Sequence, residues 1–352
     1  MGSNPDELVQ SAISQGVGSA LLDALLANKM AVPETLRRYD ENARFARASS
    51  TAVLSVLEEV FSKADIPWVA LKGVVVGALY RNPQLRSFAD IDVLIRGCDM
   101  GSAIEAMEGV SIRNVNRNWG NYLTYGIAET PLWAPGIAID LHWHVIGLAK
   151  QRNRTNIDIA GMISRRKKIS IGSCNVWTLD PEDTLLHVCI HAAGSGARRL
   201  LWLKDVTEIV NAEKHDWTEL LTRAKQTGLG AQIGQVLDRA RCLLEIDVPL
   251  WVLSELTSSY QLQIRRWLDS RERGRGLPDR FAPGFPVHMS KEGILPSTIA
   301  AIESGVHRFI PGPSFNVGDP GGPLYWDNPS GGPEARSAYL DYAEEASRLH
   351  GE

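Results

Sequence analysis

Two aspartates stand two residues apart in the stretch Ser87–Ile95, which reads SFADIDVLI. Because successive side chains of a β-strand point to opposite faces, Asp90 and Asp92 lie on one face and apolar side chains fill the other. At a rise of ~3.3 Å per residue their Cα atoms are about 6.5–7 Å apart, so both carboxylates can lean towards one hard cation. The spacing predicts a divalent-cation site, although a lone pair of this kind is also typical of the polar face of an edge strand.

A second strand-like stretch carries a third carboxylate. In Ile137–Val145, which reads IAIDLHWHV, apolar residues alternate with Asp140, His142 and His144. If this strand neighbours the first, Asp140 joins the same polar face. Three aspartates suit two Mg²⁺ ions, because Mg²⁺ prefers oxygen ligands and keeps positions for phosphate oxygens and water. The histidines leave a zinc site open as an alternative.

A glycine turn precedes the aspartates. The segment VALKGVVVG, residues 69–77, predicts a strand that ends near Gly73 and a helix that follows it. Free N–H groups at a helix start can bind phosphate, and glycine lets a ligand approach the backbone closely. Arg86 could reach a phosphate as a bidentate donor, or could be a solvated loop arginine. The turn at Gly73 is therefore a candidate phosphate-binding site, although no P-loop or dinucleotide fingerprint is present.

The elements that must position these residues form an α+β pattern. Apolar periodicity predicts helices at 6–30 and 34–64, a β-rich segment that includes a strand at Tyr122–Glu129, and helices from 180 to 268. Ten of the 18 prolines lie between Pro278 and Pro333, which indicates an extended or disordered arm before a last helix at 334–349. We expect four regions: N-terminal helices at 1–65, an αβ core at 66–150, a helical domain at 151–272 and a Pro/Gly-rich arm with a terminal helix at 273–352.

Composition narrows the functional classes. The 352 residues include 44% hydrophobic and 22% charged residues, which excludes wholesale disorder, and the net charge of −4 does not favour binding of bulk nucleic acid. Apolar runs are far shorter than the ~20 residues that a membrane span needs. The four cysteines are widely spaced, and the N-terminus lacks the pattern of a secretory signal, so we expect a cytoplasmic protein.

Taken together, four short motifs in this order resemble the uncharacterised nucleotidyltransferase family of the DNA polymerase β-like superfamily: Leu71–Gly73, Leu79-Tyr80, Arg86–Ile95 and Ile139–Trp143. The stretch from Asp180 to His191 is similar to the helical half of that family. The resemblance covers about residues 20–265. It implies an α+β fold, in which a polymerase β-like mixed sheet with flanking helices is followed by a C-terminal helical domain.

The resemblance also implies roles for the singled-out residues. Asp90 and Asp92 match the paired metal-binding aspartates, and Asp140 matches the third carboxylate. Lys72 and Gly73 stand at the phosphate loop, but Val74 follows where the superfamily has a second small residue. Lys72, Gly73 and Arg86 are the nucleotide-binding residues that the resemblance implies. His142 and His191 are possible cleft residues, although a structural role is favoured for His191.

The implied activity is metal-dependent transfer of an NMP from an NTP, with ATP the expected nucleotide and two Mg²⁺ ions, to a hydroxyl acceptor. Ten tryptophans and a helical second half favour a small molecule or a peptide as acceptor, and a tRNA end stays open. The role stays open between biosynthetic, antibiotic-modifying and toxin-like. Two other classes remain: a non-catalytic scaffold that binds a partner through its C-terminal arm, and a zinc hydrolase that uses Asp140, His142 and His144.

Overall fold

The computed structural model describes residues 5–195, 197, 199–258 and 332–349, and these fall into two units. The first unit takes its described residues from Met1–Phe45, Val75–Phe88 and Pro181–Glu292. The second takes them from Ala46–Val74, Ala89–Asp180 and Gly293–Glu352. Each unit is therefore assembled from three separate segments of the chain, a division that differs from the four consecutive regions expected above.

A seven-stranded mixed sheet lies in the second unit, in the order β3-β4-β5-β2-β1-β7-β6. Its strands are β1 (Trp68–Leu71), β2 (Asp90–Ile95), β3 (Arg113–Asn114), β4 (Glu129–Ala134), β5 (Ile137–His142), β6 (Lys167–Ile171) and β7 (Cys174–Thr178). β2 is central and pairs antiparallel with β1 and parallel with β5. The sheet continues past the core boundary expected at residue 150, because β7 pairs with β1 through Ala70 and Thr178.

Helices flank this sheet and make up most of the first unit, which confirms the α+β class. They are α1 (Pro5–Ser14), α2 (Gly18–Ala27), α3 (Glu34–Lys63), α4 (Lys72–Leu79), α5 (Met100–Glu108), α6 (Trp119–Tyr125), α7 (Ala149–Arg152), α8 (Ile159–Ser164), α9 (Pro181–Gly194), α10 (Leu200–Ala212), α11 (Trp217–Thr227), α12 (Gly230–Leu244), α13 (Leu250–Leu256) and α14 (Gly332–Leu349). Among the described residues, none of these helices is both long enough and apolar enough to cross a bilayer.

Two elements differ from the sequence-based predictions. The helix expected at 6–30 is broken into α1 and α2, because Gly16 adopts a left-handed conformation with φ +73°. The strand expected at Tyr122–Glu129 is wrong: most of that stretch is α6 and the loop after it. The side chain of Asn118 accepts a hydrogen bond from the N–H of Asn121 and caps this helix, and Gly126 ends it at φ +55°. Local capping thus overrides the β-propensity of the tyrosines and threonine.

The terminal helix α14 packs within the second unit, which confirms the helix predicted at 334–349. Tyr339 is fully buried; its hydroxyl accepts a hydrogen bond from Trp143 Nε1 at 3.1 Å and donates one to the carbonyl of Ile127 at 3.0 Å. The hydroxyl of Tyr342 accepts a hydrogen bond from Arg152 Nη2 at 2.8 Å. The proline-rich arm predicted at 273–331 lies outside the described residues.

Replacement of Gly97 by alanine tests the docking of α14. A Cβ atom at this position would lie 2.5 Å from the carbonyl oxygen of Ala343 and 2.8 Å from Ser347 Cβ, so the helix must shift. We expect Gly97→Ala to lower the free energy of unfolding by about 1–3 kcal/mol in thermal or denaturant unfolding. Gly101→Ala is the matched control, because its Cβ would meet Leu340 at an ordinary 3.5 Å. Equal stability of the two variants would contradict this packing.

Candidate metal centre

The centre of the site is a pair of aspartates on neighbouring strands. β2 and β5 run parallel in a register that sets Asp92 opposite Asp140. One carboxylate oxygen from each aspartate and one ring nitrogen of His142 lie within 4.8 Å of one another. The Asp92 side chain is only 4% exposed, because β2 is covered on both faces, whereas Asp140 is half-buried. Three potential ligand atoms from two adjacent parallel strands therefore converge.

His142 is held between two carboxylates. Its Nε2 lies 3.2 Å from Asp92 Oδ1, and its Nδ1 lies 3.3 Å from Glu129 Oε2. Glu129 opens β4 and stands directly opposite His142 in the antiparallel β4–β5 register. The role of Glu129 is not visible in the sequence pattern, because this residue falls at the end of the wrongly predicted strand Tyr122–Glu129. Along residues 129–134, exposed or half-buried side chains alternate with buried ones, and this alternation marks the correct strand.

The positively charged side chain of Lys72 also belongs to this group. Its ammonium Nζ lies 2.7 Å from Asp92 Oδ1, and its side chain is 18% exposed. Lys72 directly follows Leu71, the last residue of β1, which pairs with Asp92 across the two strands. The turn is unusual: Lys72 has φ +34°, which a residue with a side chain rarely adopts, and Gly73 is non-helical at φ 5° and ψ −91°. The glycine turn thus presents a lysine to the aspartates.

The ion pair sets the protonation of Lys72 and Asp92. Burial by itself raises the pKa of Asp92, but the charge of Lys72 and the hydrogen bond from His142 hold that pKa well below its usual range. Burial lowers the pKa of Lys72, but Asp92, Asp90 and Asp140 together raise it above its usual value. Both groups are therefore charged at neutral pH.

The pKa values of Asp140 and His142 are both raised. Burial, followed by the charges of Asp92, Asp90 and Glu129, raises the pKa of Asp140 to about 7, against the opposing effect of His142. Burial lowers the pKa of His142, but the hydrogen bond to Asp92 and the charge of Glu129 raise it above its usual value. In the absence of other cations, the site thus balances several carboxylates with a charged lysine and an imidazole whose pKa is raised.

Asp90 lies beside this group. It is half-buried on β2, and its charge acts on the pKa values of both Lys72 and Asp140. The set of atoms within 4.8 Å nevertheless contains His142 where the sequence predicts Asp90. The structure therefore brings Asp92 and Asp140 together and adds His142. Asp90 lies outside this group of atoms within 4.8 Å.

The donor set fits a divalent cation. Two carboxylates on adjacent strands offer the oxygen ligands that Mg²⁺ and Mn²⁺ prefer, and a neutral His142 would add a nitrogen ligand. Protonated His142 instead donates to Asp92 and orients it. The zinc alternative also requires His144, whose Nδ1 accepts a hydrogen bond from the N–H of Ile146, and the converging group contains His142 without it.

The sequence profile of the uncharacterised nucleotidyltransferase family matches residues 2–245, well over half of the chain. The chain belongs to this family. Solved structures that resemble it include an antigenic nucleotidyltransferase-like protein from Paracoccidioides brasiliensis, at 15% identity and a TM-score of 0.39, covering 61% of this chain and 97% of that one. The antibiotic-resistance factor ANT(2'')-Ia matches at 10% identity and a TM-score of 0.31, covering 64% of this chain and 98% of that one. A comparison with curated proteins found no match.

Within the first unit of this family member, Arg86 forms a buried ion pair. Its Nε and Nη2 lie 3.1 Å and 2.8 Å from the two carboxylate oxygens of Asp205, and its Nη1 donates to the carbonyl of Ser87 at 2.7 Å. The hydroxyl of Tyr80 donates to Asp205 Oδ1 at 2.7 Å. Tyr80 and Arg86, which belong to two of the sequence motifs, therefore bind the same carboxylate. The guanidinium of Arg86, which was expected to bind phosphate, is paired with Asp205.

His191 also belongs to the first unit. It lies on α9, half-buried, and its ring packs edge-to-face on Trp202 with 5.5 Å between the ring centroids. This contact fits the structural role that the sequence favours for His191.

Asp140→Asn should change the pH dependence of stability. Because folding raises the pKa of Asp140 from 3.8 to about 7, the folded state favours its protonated form, and stability is lost as pH rises between these values. In a chelating buffer we expect the variant to melt above the wild type at pH 8, with a difference that grows from about pH 4 to pH 7 and is constant above. Asp99→Asn is a charge-matched control. A difference independent of pH would contradict the raised pKa.

The ion pair between Arg86 and Asp205 should stabilise the first unit. Both side chains are less than a tenth exposed, so Arg86→Met leaves a buried carboxylate without its partner and should cost about 3–5 kcal/mol of unfolding free energy. Asp205→Asn should cost a similar amount, and the double variant less than the sum. Arg38→Met, which breaks an exposed pair with Glu34, should cost less than about 1 kcal/mol. An Arg86 variant that is fully stable but loses nucleotide binding would instead support the phosphate role.

Proposed function

We propose that this protein is a metal-dependent nucleotidyltransferase that moves an NMP from an NTP, with ATP the expected nucleotide, to a hydroxyl acceptor. The observation that carries the proposal is the in-register pairing of Asp92 and Asp140, which brings two carboxylates and His142 within 4.8 Å. Membership of a nucleotidyltransferase family supports the same reaction class.

In this proposal Asp92 and Asp140 hold Mg²⁺, and Asp90 offers a further carboxylate for a second ion. Bound Mg²⁺ supplies charge neutralisation for the triphosphate and its leaving group. The backbone turn at Gly73 lies next to Lys72 and gives N–H groups that can bind phosphate. His142 and Glu129 orient the carboxylate of Asp92 through the contacts described above.

The chemical step requires only the NTP and the acceptor. The acceptor oxygen forms a bond to the α-phosphorus, the bond from this phosphorus to the bridging oxygen breaks, and pyrophosphate leaves. Asp140 would take the proton of the acceptor hydroxyl as the new bond forms. The acceptor class, a small molecule or a peptide, rests on composition alone, and a tRNA end is a further outcome of the test.

Transfer of label tests the proposal. The purified protein is incubated with Mg²⁺, a cell extract and each of the four NTPs, labelled either at the α- or at the γ-phosphate. We expect the α-label to enter an acceptor and the γ-label to leave as pyrophosphate. Asp92→Asn and Asp140→Asn should each lower the rate by at least about 10²-fold while the far-UV spectrum is unchanged, because each removes charge stabilisation from the reacting centre.

Asp99→Asn is the control, since Asp99 lies in the second unit but pairs with Arg96. Transfer of the γ-label instead of the α-label would show a kinase. Absence of labelling and of nucleotide binding with all four NTPs would contradict the proposal and favour the non-catalytic scaffold.

A further inference from the structure

The cation that contacts Asp92 in this structure belongs to the protein. The Lys72 ammonium lies 2.7 Å from Oδ1, the same oxygen that faces Nε2 of His142 at 3.2 Å. The Asp92 side chain is 4% exposed, so water contributes little to its solvation, and a buried carboxylate of this kind requires a positive partner. Lys72 meets that requirement without any ion from solution.

A divalent cation and the Lys72 ammonium would compete for the same carboxylate, that of Asp92. The candidate ligand atoms of Asp92, Asp140 and His142 lie within 4.8 Å of one another, so a cation bound among them stands close to the position of the ammonium. Two positive charges at this separation in a poorly solvated site repel each other strongly. Lys72 and the divalent cation are therefore alternative partners of Asp92.

We propose that Lys72 is a tethered counter-ion, which neutralises Asp92 until a divalent cation displaces it and which then becomes available to the phosphates of the nucleotide. The inference rests on the proposed function, because it assigns regulation to the same site. The backbone supports it: Lys72 is held at φ +34° between β1 and the non-helical Gly73, and backbone costs of this kind persist where the surrounding structure requires them.

Two consequences distinguish this device from a simple ion pair. Because Lys72 already contacts Asp92, a divalent cation must displace its ammonium, so the protein without nucleotide binds divalent cations weakly. A nucleotide whose phosphates accept the displaced lysine removes this competition. Cation and nucleotide then strengthen each other's binding.

Calorimetry with Mn²⁺ alone tests the competition on the full chain. Lys72→Met is expected to bind Mn²⁺ at least about tenfold more tightly than the wild type. Lys168→Met is the matched control, because Lys168 pairs with Glu58 at 3.0 Å in the same unit, and its affinity should equal that of the wild type. Equal or weaker Mn²⁺ binding by Lys72→Met, or no binding by any of the proteins, would overturn the inference.

Thermal unfolding gives a second readout that does not involve activity. In chelator, Lys72→Met should melt at least about 5 °C below the wild type, because Asp92 loses its partner, and Mn²⁺ should restore most of that difference. In an Asp92→Asn background the lysine substitution should have little effect. A loss that Mn²⁺ does not restore, or that persists in this background, would show a purely structural lysine.

If Lys72→Met does not fold, amine footprinting of the wild-type chain tests the same inference. Lysine acetylation followed by mass spectrometry should find Lys72 slow to react in chelator and several-fold faster with Mn²⁺, while Lys168 is unchanged. An unchanged rate at Lys72 would overturn the inference. Displacement of Lys72 without any transfer of NMP would uphold it and refute the proposed function, so the two failures are distinguishable.

Discussion

Negative charge on two neighbouring parallel strands is the constraint on which the site depends. The register of β2 and β5 places Asp92 beside Asp140, and Asp90 adds its charge from the same strand. Carboxylates this close and this poorly solvated raise one another's pKa unless cations stand among them. Lys72 supplies positive charge from within the chain, at a turn whose backbone conformation is unfavourable for a residue with a side chain.

The surrounding elements keep this charge balance in place. Glu129, at the start of β4, holds the second nitrogen of His142, and Trp143 follows His142 directly. The indole of Trp143 donates to the buried Tyr339 of α14 and packs under the guanidinium of Arg152 at 4.2 Å from its ring centroid. The helix that comes last in the described chain thus stabilises the residues at the end of β5, so the geometry at the aspartates depends on contacts formed late in the sequence.

Local patterns were sufficient to predict part of this site. Strand alternation places Asp90 and Asp92 on one face and marks Asp140 on a second strand, because both patterns are contained in a few residues. Their adjacency required the family resemblance, since parallel pairing joins distant segments. Glu129 was missed because helix capping at Asn118 and Gly126 reverses the local propensity. The partner of Arg86, Asp205, lies 119 residues further along, and no spacing rule connects the two.

The division of the chain into interleaved segments has a consequence for the evolution of this protein. Each unit is built from three stretches, and the helices α3 and α4 each begin in a stretch of one unit and end in a stretch of the other. A single genetic crossover therefore transfers incomplete portions of both units. Neither unit is therefore encoded by one continuous stretch of the gene, so neither can be exchanged as a single cassette.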